Sequence, residues 1–323
     1  MITRRQFMTF TAGAIVGASL GGMFPEYAAG KMKTKVCIIK STRIWKNGSI
    51  DQQVIGSMLE TGVRILSDAD DFPKAWQTYF AANDTIALKI NPIARQTGST
   101  KPEICYALAE TIHRNVGIPH DRFIIFDVSE NDLVGAGYEL NREKGKIQVY
   151  SSSEYSEMFS RGGVEAKISR VITNQCTALV NMPLLKTHKG AGISIALKNH
   201  YGSIPTLIVR DDAYRYHMDR FKNVVFLNLM PPIHEKTRLI VVDGLISQYN
   251  RGPGGDPRYQ WDFGGIIMGT DPVAVDTVCL QIINTKREEN GFKHITLPYL
   301  EWGRHEGLGT HRPAEIRIYE KVV

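Results

Sequence analysis

Short, continuously apolar runs alternate along this 323-residue chain with longer segments of helical periodicity. The runs predict strands over Lys35–Lys40, Thr85–Ile90, Phe123–Val128, Ala178–Met182, Arg238–Asp243 and Gly265–Met268. The segments between them predict helices over Val54–Leu66, Pro102–Val116, Gly192–Tyr201, Asp219–Leu229, Val273–Ile283 and Leu297–His305. Strands that are apolar throughout need cover on both faces. The alternation therefore predicts an α/β fold: a mainly parallel, Rossmann-like sheet with helices on both sides, in one or two lobes.

Polar residues stand near the ends of four of these strands. Asn91 follows one strand, Asp127 lies at the end of another, Lys186 follows a third and Asp243 ends a fourth. In open α/β sheets, ligands bind outside the carboxyl ends of the strands. We therefore expect the binding site at this edge of the sheet.

The N-terminal segment has the features of an export signal. Thr3-Arg4-Arg5-Gln6-Phe7-Met8 is a twin-arginine pattern, and the apolar run after it is short and glycine-rich for a membrane span. We expect residues 1–29 to be a twin-arginine signal, cleaved near Ala28-Ala29-Gly30. Residues 30–323 would then form one α/β domain, with any lobe boundary near 150–175. This predicts a periplasmic or extracytoplasmic protein that uses the twin-arginine export machinery and is membrane-anchored only if the signal is retained.

Charge and cysteine usage narrow the class of partner. The net charge is +6, and the lysines and arginines are scattered, which argues against nucleic acid and fits a small anionic molecule. The cysteines, Cys37, Cys105, Cys176 and Cys279, form no CxxC, so no iron–sulfur cluster is expected, while their disulfide state stays open. The twin-arginine route carries folded proteins, which leaves a divalent metal or a preloaded cofactor open.

Six motifs follow one another along the chain: NMPLLKTH (Asn181–His188), GISIALKNHYG (Gly192–Gly202), VVDGL (Val241–Leu245), RGPGG (Arg251–Gly255), GTDPVAVD (Gly269–Asp276) and EWGRHEGLG (Glu301–Gly309). Taken together and in this order, they resemble the domain-of-unknown-function 362 family. The resemblance spans most of the mature chain. Some members carry a ferredoxin-like segment with CxxC motifs, which this sequence lacks, so the resemblance does not imply electron transfer.

The segment Asn91–Glu130 also resembles the first lobe of nickel-pincer lactate racemases, in which an arginine-bearing loop precedes a long helix and a strand. In those enzymes a lysine and histidines hold a nicotinate-derived nickel cofactor, and a glycine and a histidine follow the strand. Asp127-Val128-Ser129 stands at that place in this chain. The resemblance therefore implies a fold and not the racemase reaction.

Lys186, His188 and Asp243 are the candidate catalytic residues. Lysine can hold an anion or act as a base when its pKa is depressed, and histidine can bind a metal or transfer protons. A carboxylate at the end of an apolar strand, as predicted for Asp243, is costly to bury without a partner. The alternative for the K-T-H-K segment (186–189) is a solvated surface loop.

Five further residues are candidate ligand-binding groups: Lys89, Asn91, Arg95, Lys198 and Asn199. Arg95 suits bidentate binding of a carboxylate or phosphate, although its loop could equally be solvent-exposed. On a regular helix not all of Lys198, Asn199 and His200 can face one pocket. We favour the first two, and a capping or core role for His200.

For a metal, the candidate ligands are His188, Asp243 and Asp271. Asp271 precedes Pro272 and a helical segment, so a helix N-cap is its alternative. Asp276 lies five residues further along and on another face of that helix, so a metal shared with Asp271 would need a bent helix start.

Two functions of different classes fit these residues. One is an exported enzyme, dependent on a metal or cofactor, that acts on a small anionic substrate by acid–base chemistry. The other is a non-catalytic periplasmic protein that binds or delivers a ligand or metal. The sequence favours the first and contains no motif that dictates a reaction.

Overall fold

The predicted alternation builds a ten-stranded central sheet within the residues that the computed structural model describes, 33–205 and 221–323. The strands of that part of the chain are β1 (Thr34–Lys40), β2 (Trp45–Lys46), β3 (Ser49–Ile50), β4 (Ile86–Lys89), β5 (Phe123–Asp127), β6 (Gln148–Ser151), β7 (Tyr155–Arg161), β8 (Val164–Ser169), β9 (Ala178–Asn181), β10 (Leu184–His188), β11 (Gly192–Ile193), β12 (Thr237–Gln248), β13 (Gln260–Gly269) and β14 (Ile316–Val322). The predicted signal segment, 1–29, lies outside the described residues.

The central sheet is mostly parallel. Its order is β14-β1-β13-β12-β9-β4-β5-β6, with β10 paired to β12 and β11 paired to β10. The run β12-β9-β4-β5-β6 is parallel throughout, whereas β13 is antiparallel to both of its neighbours. The predicted α/β class with a mainly parallel sheet is therefore confirmed.

Helices connect and cover these strands. In the described chain they are α1 (Gln52–Ser67), α2 (Phe72–Gln77), α3 (Pro102–Val116), α4 (Glu130–Gly135), α5 (Ala196–Asn199), α6 (Lys222–Asn228), α7 (Pro231–His234), α8 (Pro272–Glu289) and α9 (Pro298–His305). Helix α3 has the predicted bounds: Pro102 occupies its first turn, and Gly117, at φ 83°, ends it in the left-handed region that glycine tolerates best. The predicted helix Asp219–Leu229 begins outside the described residues.

The sheet separates two apolar layers, as the continuous apolar strands require. In β1, Cys37 and Ile39 pack in the layer that contains α1 and α3, while Val36 and Ile38 pack in the layer that contains α8. Successive side chains of a strand point to opposite faces, so one strand supplies both layers. In the part of the chain that the structure describes, no helix is long and apolar enough to cross a membrane.

One segment contains strands that the sequence did not predict, and one predicted helix has other bounds. Between 150 and 175, where the sequence left room for a lobe boundary, β7 and β8 form an antiparallel hairpin. The helix predicted over Gly192–Tyr201 is wrong in extent: Gly192, at φ 81°, pairs with His188 in a hairpin, and only the single turn α5 is α-helical. The hairpin uses the residues that would have formed the first helical turn.

Candidate polar site at the strand ends

The parallel strands β4, β5 and β9 bring polar side chains together at their carboxyl ends. Lys89 is the last residue of β4, and it lies opposite Asn181, the last residue of β9. Asp127 ends the neighbouring strand β5. The helical turn α5 packs over Lys89 and Asn181, on the side of the sheet that α8 covers. The sheet thus forms the floor of a polar site and α5 one of its walls.

Lys89 and Asp127 form a buried ion pair. The Lys89 Nζ lies 2.6 Å from the Asp127 Oδ2, and the two side chains are only 1% and 4% exposed. Lys89 also donates to the Ile90 carbonyl over 2.7 Å. Burial lowers the pKa of Lys89 and raises the pKa of Asp127, and the charge of each partner opposes the shift of the other. The pair holds both charges inside the protein with little net charge.

An amide network fixes α5 to the sheet. The Asn199 side chain donates through Nδ2 to the Lys89 carbonyl over 2.9 Å and to the Asn181 Oδ1 over 2.8 Å. Asn181 in turn donates to the Ala196 carbonyl over 2.8 Å. Buried amides with all their bonds made hold a unique geometry. These bonds set the position of the preceding residue in α5, Lys198.

Asp276 of α8 caps α5 from below. Its Oδ1 accepts from the Ala196 N–H over 2.7 Å, and its Oδ2 accepts from the Leu197 N–H over 3.3 Å. Complete burial raises the pKa of Asp276 to about 8, against the lowering effect of these two bonds. Asp276 therefore has a structural partner in α5. Asp271 caps the N-terminus of α8 instead, so the two carboxylates have different partners, in line with the expectation that they lie on different faces of that helix.

Lys198 is a buried cation with an aromatic partner. Its Nζ lies 3.3 Å from the centroid of the Tyr201 ring, and within the described chain no carboxylate pairs with it. Burial, together with the Lys89 charge, lowers the pKa of Lys198 well below its usual value. A buried amine with no counter-ion is a binding position for an anion and a candidate proton acceptor.

Asn91 leaves an acceptor unused beside that amine. Its Nδ2 donates to the Ser194 Oγ over 3.3 Å, while its buried Oδ1 has no hydrogen-bond partner among the described residues. A buried oxygen without a donor costs free energy that a ligand or water can recover. The site therefore offers one acceptor together with its positive charge.

These groups surround a small cavity of about 30 Å³. We call it the strand-end cavity; its lining residues are Lys89, Asn91, Ile93, Asp127, His188, Ser194, Lys198, Asn199, Tyr201 and Gly202. Its volume suits a carboxylate-sized group or very few waters. A Cβ on Gly202 would lie 2.6 Å from the Lys89 Nζ and closer still to Asp127, so only glycine leaves the ion pair room.

The structure gathers five of the predicted site residues in this cavity: Lys89, Asn91, His188, Lys198 and Asn199. The expectation that His200 does not face the same pocket as Lys198 and Asn199 is also met, since His200 is not among the residues that line the cavity. His200 is fully buried, its Nδ1 lies 3.2 Å from the Ser203 Oγ, and burial lowers its pKa to about 3.

Lys186 lies elsewhere, in strand β10 rather than in the predicted loop. Its Nζ donates to the Gly98 carbonyl over 2.8 Å and to the Pro253 carbonyl over 3.1 Å. Burial lowers its pKa to about 7. Since both acceptors are main-chain oxygens of separate loops, Lys186 joins those loops. Its neighbour His188 accepts from the Gly190 and Ala191 N–H groups through Nδ1, which shapes the turn between β10 and β11.

The predicted acids have main-chain partners. Asp243 does not end a strand as expected, because β12 continues to Gln248, and its carboxylate accepts from the Lys101 and Leu245 N–H groups. Burial raises its pKa to about 6. Asp271 is the N-cap of α8, the alternative named above, since it accepts from the Val273 and Ala274 N–H groups.

The remaining predicted ligands are also dispersed. Arg95 is largely exposed, and its Nε lies 3.5 Å from the Asp132 Oδ1. Within residues 33–205 and 221–323, no three His, Cys, Asp or Glu side chains gather as a metal site, so His188, Asp243 and Asp271 do not form the predicted ligand set. The described geometry gathers positive charge and amides instead.

Sequence reasoning placed Asp127 at a strand end near the expected site but did not include it among the candidate site residues, and it did not single out Asn181, Ser194 or Tyr201. Asp127 and Asn181 are polar residues at the ends of strands, like Lys89. The same strand-end rule could therefore have predicted them as site residues. Ser194 and Tyr201 flank α5, and their place depends on the hairpin that replaced the predicted helix. No local pattern marks that hairpin.

The arrangement defines an α/β protein with a polar, lysine-bearing cavity at the carboxyl ends of its parallel strands. A sequence model of the family described as "Domain of unknown function (DUF362)" matches residues 86–281, which include the lining residues. The chain belongs to this family, which confirms the first resemblance. The resemblance to nickel-pincer racemases stays a prediction.

The chain was also compared with curated proteins and with solved structures. No curated protein matches it. A crystal structure of a protein from Thermotoga maritima is similar at 12% sequence identity and a TM-score of 0.43. The alignment covers 75% of this chain and 59% of that one, so the chain spans well under two thirds of the Thermotoga protein.

Proposed function

We propose that this protein binds a small carboxylate- or phosphate-bearing molecule in the strand-end cavity and that Lys198 exchanges a proton with it. The observation that supports this most directly is the Lys198 amine itself. It is buried, lies against the Tyr201 ring, and has no carboxylate partner within the described chain. An incoming anion would supply the counter-charge that the protein does not.

The proton-transfer role follows from the surroundings of the amine. Lysine acts as a general base when desolvation and a second cation depress its pKa, and Lys198 experiences both. The Asn91 Oδ1 supports a ligand that also carries a donor, such as a hydroxyl beside the carboxylate. Glycolate is therefore the smallest suitable probe, and acetate is its counterpart without the donor.

A non-catalytic ligand-binding function is the second candidate. The observation behind it is the Lys89–Asp127 pair, in which each charge neutralises the other. Lys198 is then the single buried cation of the cavity without a carboxylate partner in the described chain, and an anion can bind to it without any reaction. This function requires the same anion site and no turnover.

Calorimetric titration of acetate and glycolate tests the binding site. We expect both to bind the natural chain, glycolate more tightly, and Lys198→Met to reduce both affinities about 10- to 100-fold, since hydrogen bonds to charged groups are worth about 1.5–3 kcal/mol. Lys144→Met, at an exposed lysine outside the cavity, should change neither. Equal affinities in all three proteins would exclude the site.

Catalysis is separated from binding by the fate of glycolate in D2O. Deuterium incorporation at its carbon, followed by NMR and lost in Lys198→Met, supports the enzyme. Binding with no incorporation supports the non-catalytic protein.

We also propose that the protein is exported by the twin-arginine route, because of Arg4, Arg5 and the mildly apolar run after them. Replacing both arginines with lysine keeps the charge and removes the guanidinium pair. We expect the exported fraction to fall severely in that variant, measured by cell fractionation and immunoblotting. Unchanged export would refute this route.

A further inference from the structure

A second, larger cavity adjoins the strand-end cavity. This second cleft has a volume of about 1040 Å³, and His188 lines both spaces. Its walls are the 187–192 turn, the 250–252 segment, Arg287 of α8, Phe221 and the 295–299 segment. The volume is at the upper end of that seen for pockets that hold small organic molecules. A ligand group in the strand-end cavity therefore has adjoining space for a larger body.

The charged side chains in the described lining of the second cleft have one sign. They are Lys189, Arg251 and Arg287, and this described lining includes no Asp or Glu. Among the described residues, Arg251 pairs with the carboxylate of Asp256 over 4.0 Å, and that acid lies closer to Arg258, at 2.8 Å. Clefts lined by one sign of charge concentrate ligands of the opposite sign.

Arg287 is held in place by neutral partners and has no carboxylate partner among the described residues. Its Nη1 donates to the Tyr249 carbonyl over 2.9 Å and approaches the Asn250 Oδ1 at 3.3 Å, and its Nε donates to the Lys293 carbonyl over 2.9 Å. These three acceptors carry no net charge. A fixed guanidinium with neutral partners is pre-organised to bind a carboxylate.

The rest of the lining is largely apolar. Phe221, Ile295, Leu297, Pro298 and Tyr299 contribute to the cleft wall. An apolar wall of this kind gains free energy when it removes apolar ligand surface from water. The cleft therefore combines an apolar surface with a fixed positive charge.

We propose that the ligand is an extended organic dianion: one anionic group meets Lys198 in the strand-end cavity, and the other meets Arg287 and Arg251 across the second cleft. An apolar chain between the two groups lies against the Ile295–Tyr299 segment. This inference rests on the proposed function, because it takes the site at Lys198 as the anchor for one end.

Octanoate and suberate test the proposal, since they have the same number of carbons and differ in the second carboxylate. With the natural full chain we expect suberate to bind about tenfold more tightly than octanoate by calorimetry. Arg287→Gln should abolish this difference, because it removes the guanidinium that meets the second carboxylate. Arg317→Gln, at an exposed arginine of β14 outside the cleft, should preserve the difference.

The outcomes separate the two proposals. If acetate binds through Lys198 but suberate and octanoate bind equally, the dianion is refuted and the anion site stands. If acetate does not bind in a Lys198-dependent way, the proposed function itself fails. Circular dichroism checks that Arg287→Gln folds; should it not fold, Arg251→Gln, at a half-exposed side chain, must reduce the suberate preference or the inference is wrong.

Discussion

Replacing Asp127 with asparagine is expected to lower the free energy of unfolding by about 3–5 kcal/mol, because it leaves a buried ammonium without its counter-charge. The Lys89 Nζ and the Asp127 Oδ2 are 2.6 Å apart, and neither side chain has appreciable access to water. Asparagine keeps the size of the side chain and an acceptor oxygen. The variant therefore removes charge and little else.

The loss has an upper limit set by proton release. In the variant, Lys89 can become neutral at a cost of about 1.4 kcal/mol for each unit between the pH and its usual pKa near 10.4. At neutral pH this limit is close to the value expected for the broken pair. Adding Lys89→Met to Asp127→Asn removes the stranded amine and should restore much of the stability.

The partly exposed pair of Arg114 and Glu60 provides a matched control. Its Nη2–Oε1 distance is also 2.6 Å, but the arginine side chain is 57% exposed and the glutamate side chain 13% exposed. Glu60→Gln should therefore cost no more than about 1 kcal/mol. Urea denaturation of the four proteins measures all of these differences. If Asp127→Asn lowers the free energy of unfolding by as little as Glu60→Gln does, burial does not increase the cost of breaking the Lys89–Asp127 pair, and the prediction is wrong.

The parts of the fold that the sequence predicted are those with a local cause. Strands such as Thr34–Lys40 are marked by their own apolar residues, and α3 by Pro102 and Gly117 at its two ends. The strand-end rule likewise selected Lys89 and Asn91, because a parallel sheet brings its carboxyl ends to one edge.

The parts that were wrong depend on partners distant in sequence. Asp276 caps α5 from 80 residues away, and this capping helps to limit the predicted helix to a single turn. Lys186 bonds to the loops at Gly98 and Pro253, which a local pattern cannot link to it. Asp243 was expected to need a partner or a metal, and its partners are two main-chain N–H groups, one of them on Lys101, 142 residues away in sequence.

The affinity for acetate is expected to fall about tenfold for each pH unit above the pKa of Lys198 in the free protein. Only the protonated amine attracts the anion, and burial places that pKa well below the usual lysine value. Below this pKa the amine is already charged, so affinity is level there. Above it, binding must first take up a proton. The titrations are made above the pKa of acetic acid, so acetate itself stays ionised.

Lys198→Arg isolates the contribution of Lys198 from that of the other ionisable side chains in the described lining of the cavity, which include Lys89 and Asp127. Arginine keeps its charge at every pH at which the protein is folded, so the decline above the lysine pKa should disappear in this variant, while any pH effect that arises at another group should remain in both proteins. Calorimetry in buffers of different ionisation enthalpy gives a second readout. Above the Lys198 pKa, the natural chain should take up close to one proton per acetate bound, and the variant close to none.

The contradicting outcome is an acetate affinity of the natural chain that stays level to pH 10. An amine whose pKa is lowered by burial has to lose its proton within that range, so a level affinity would show that Lys198 is already charged in the free protein and is no base.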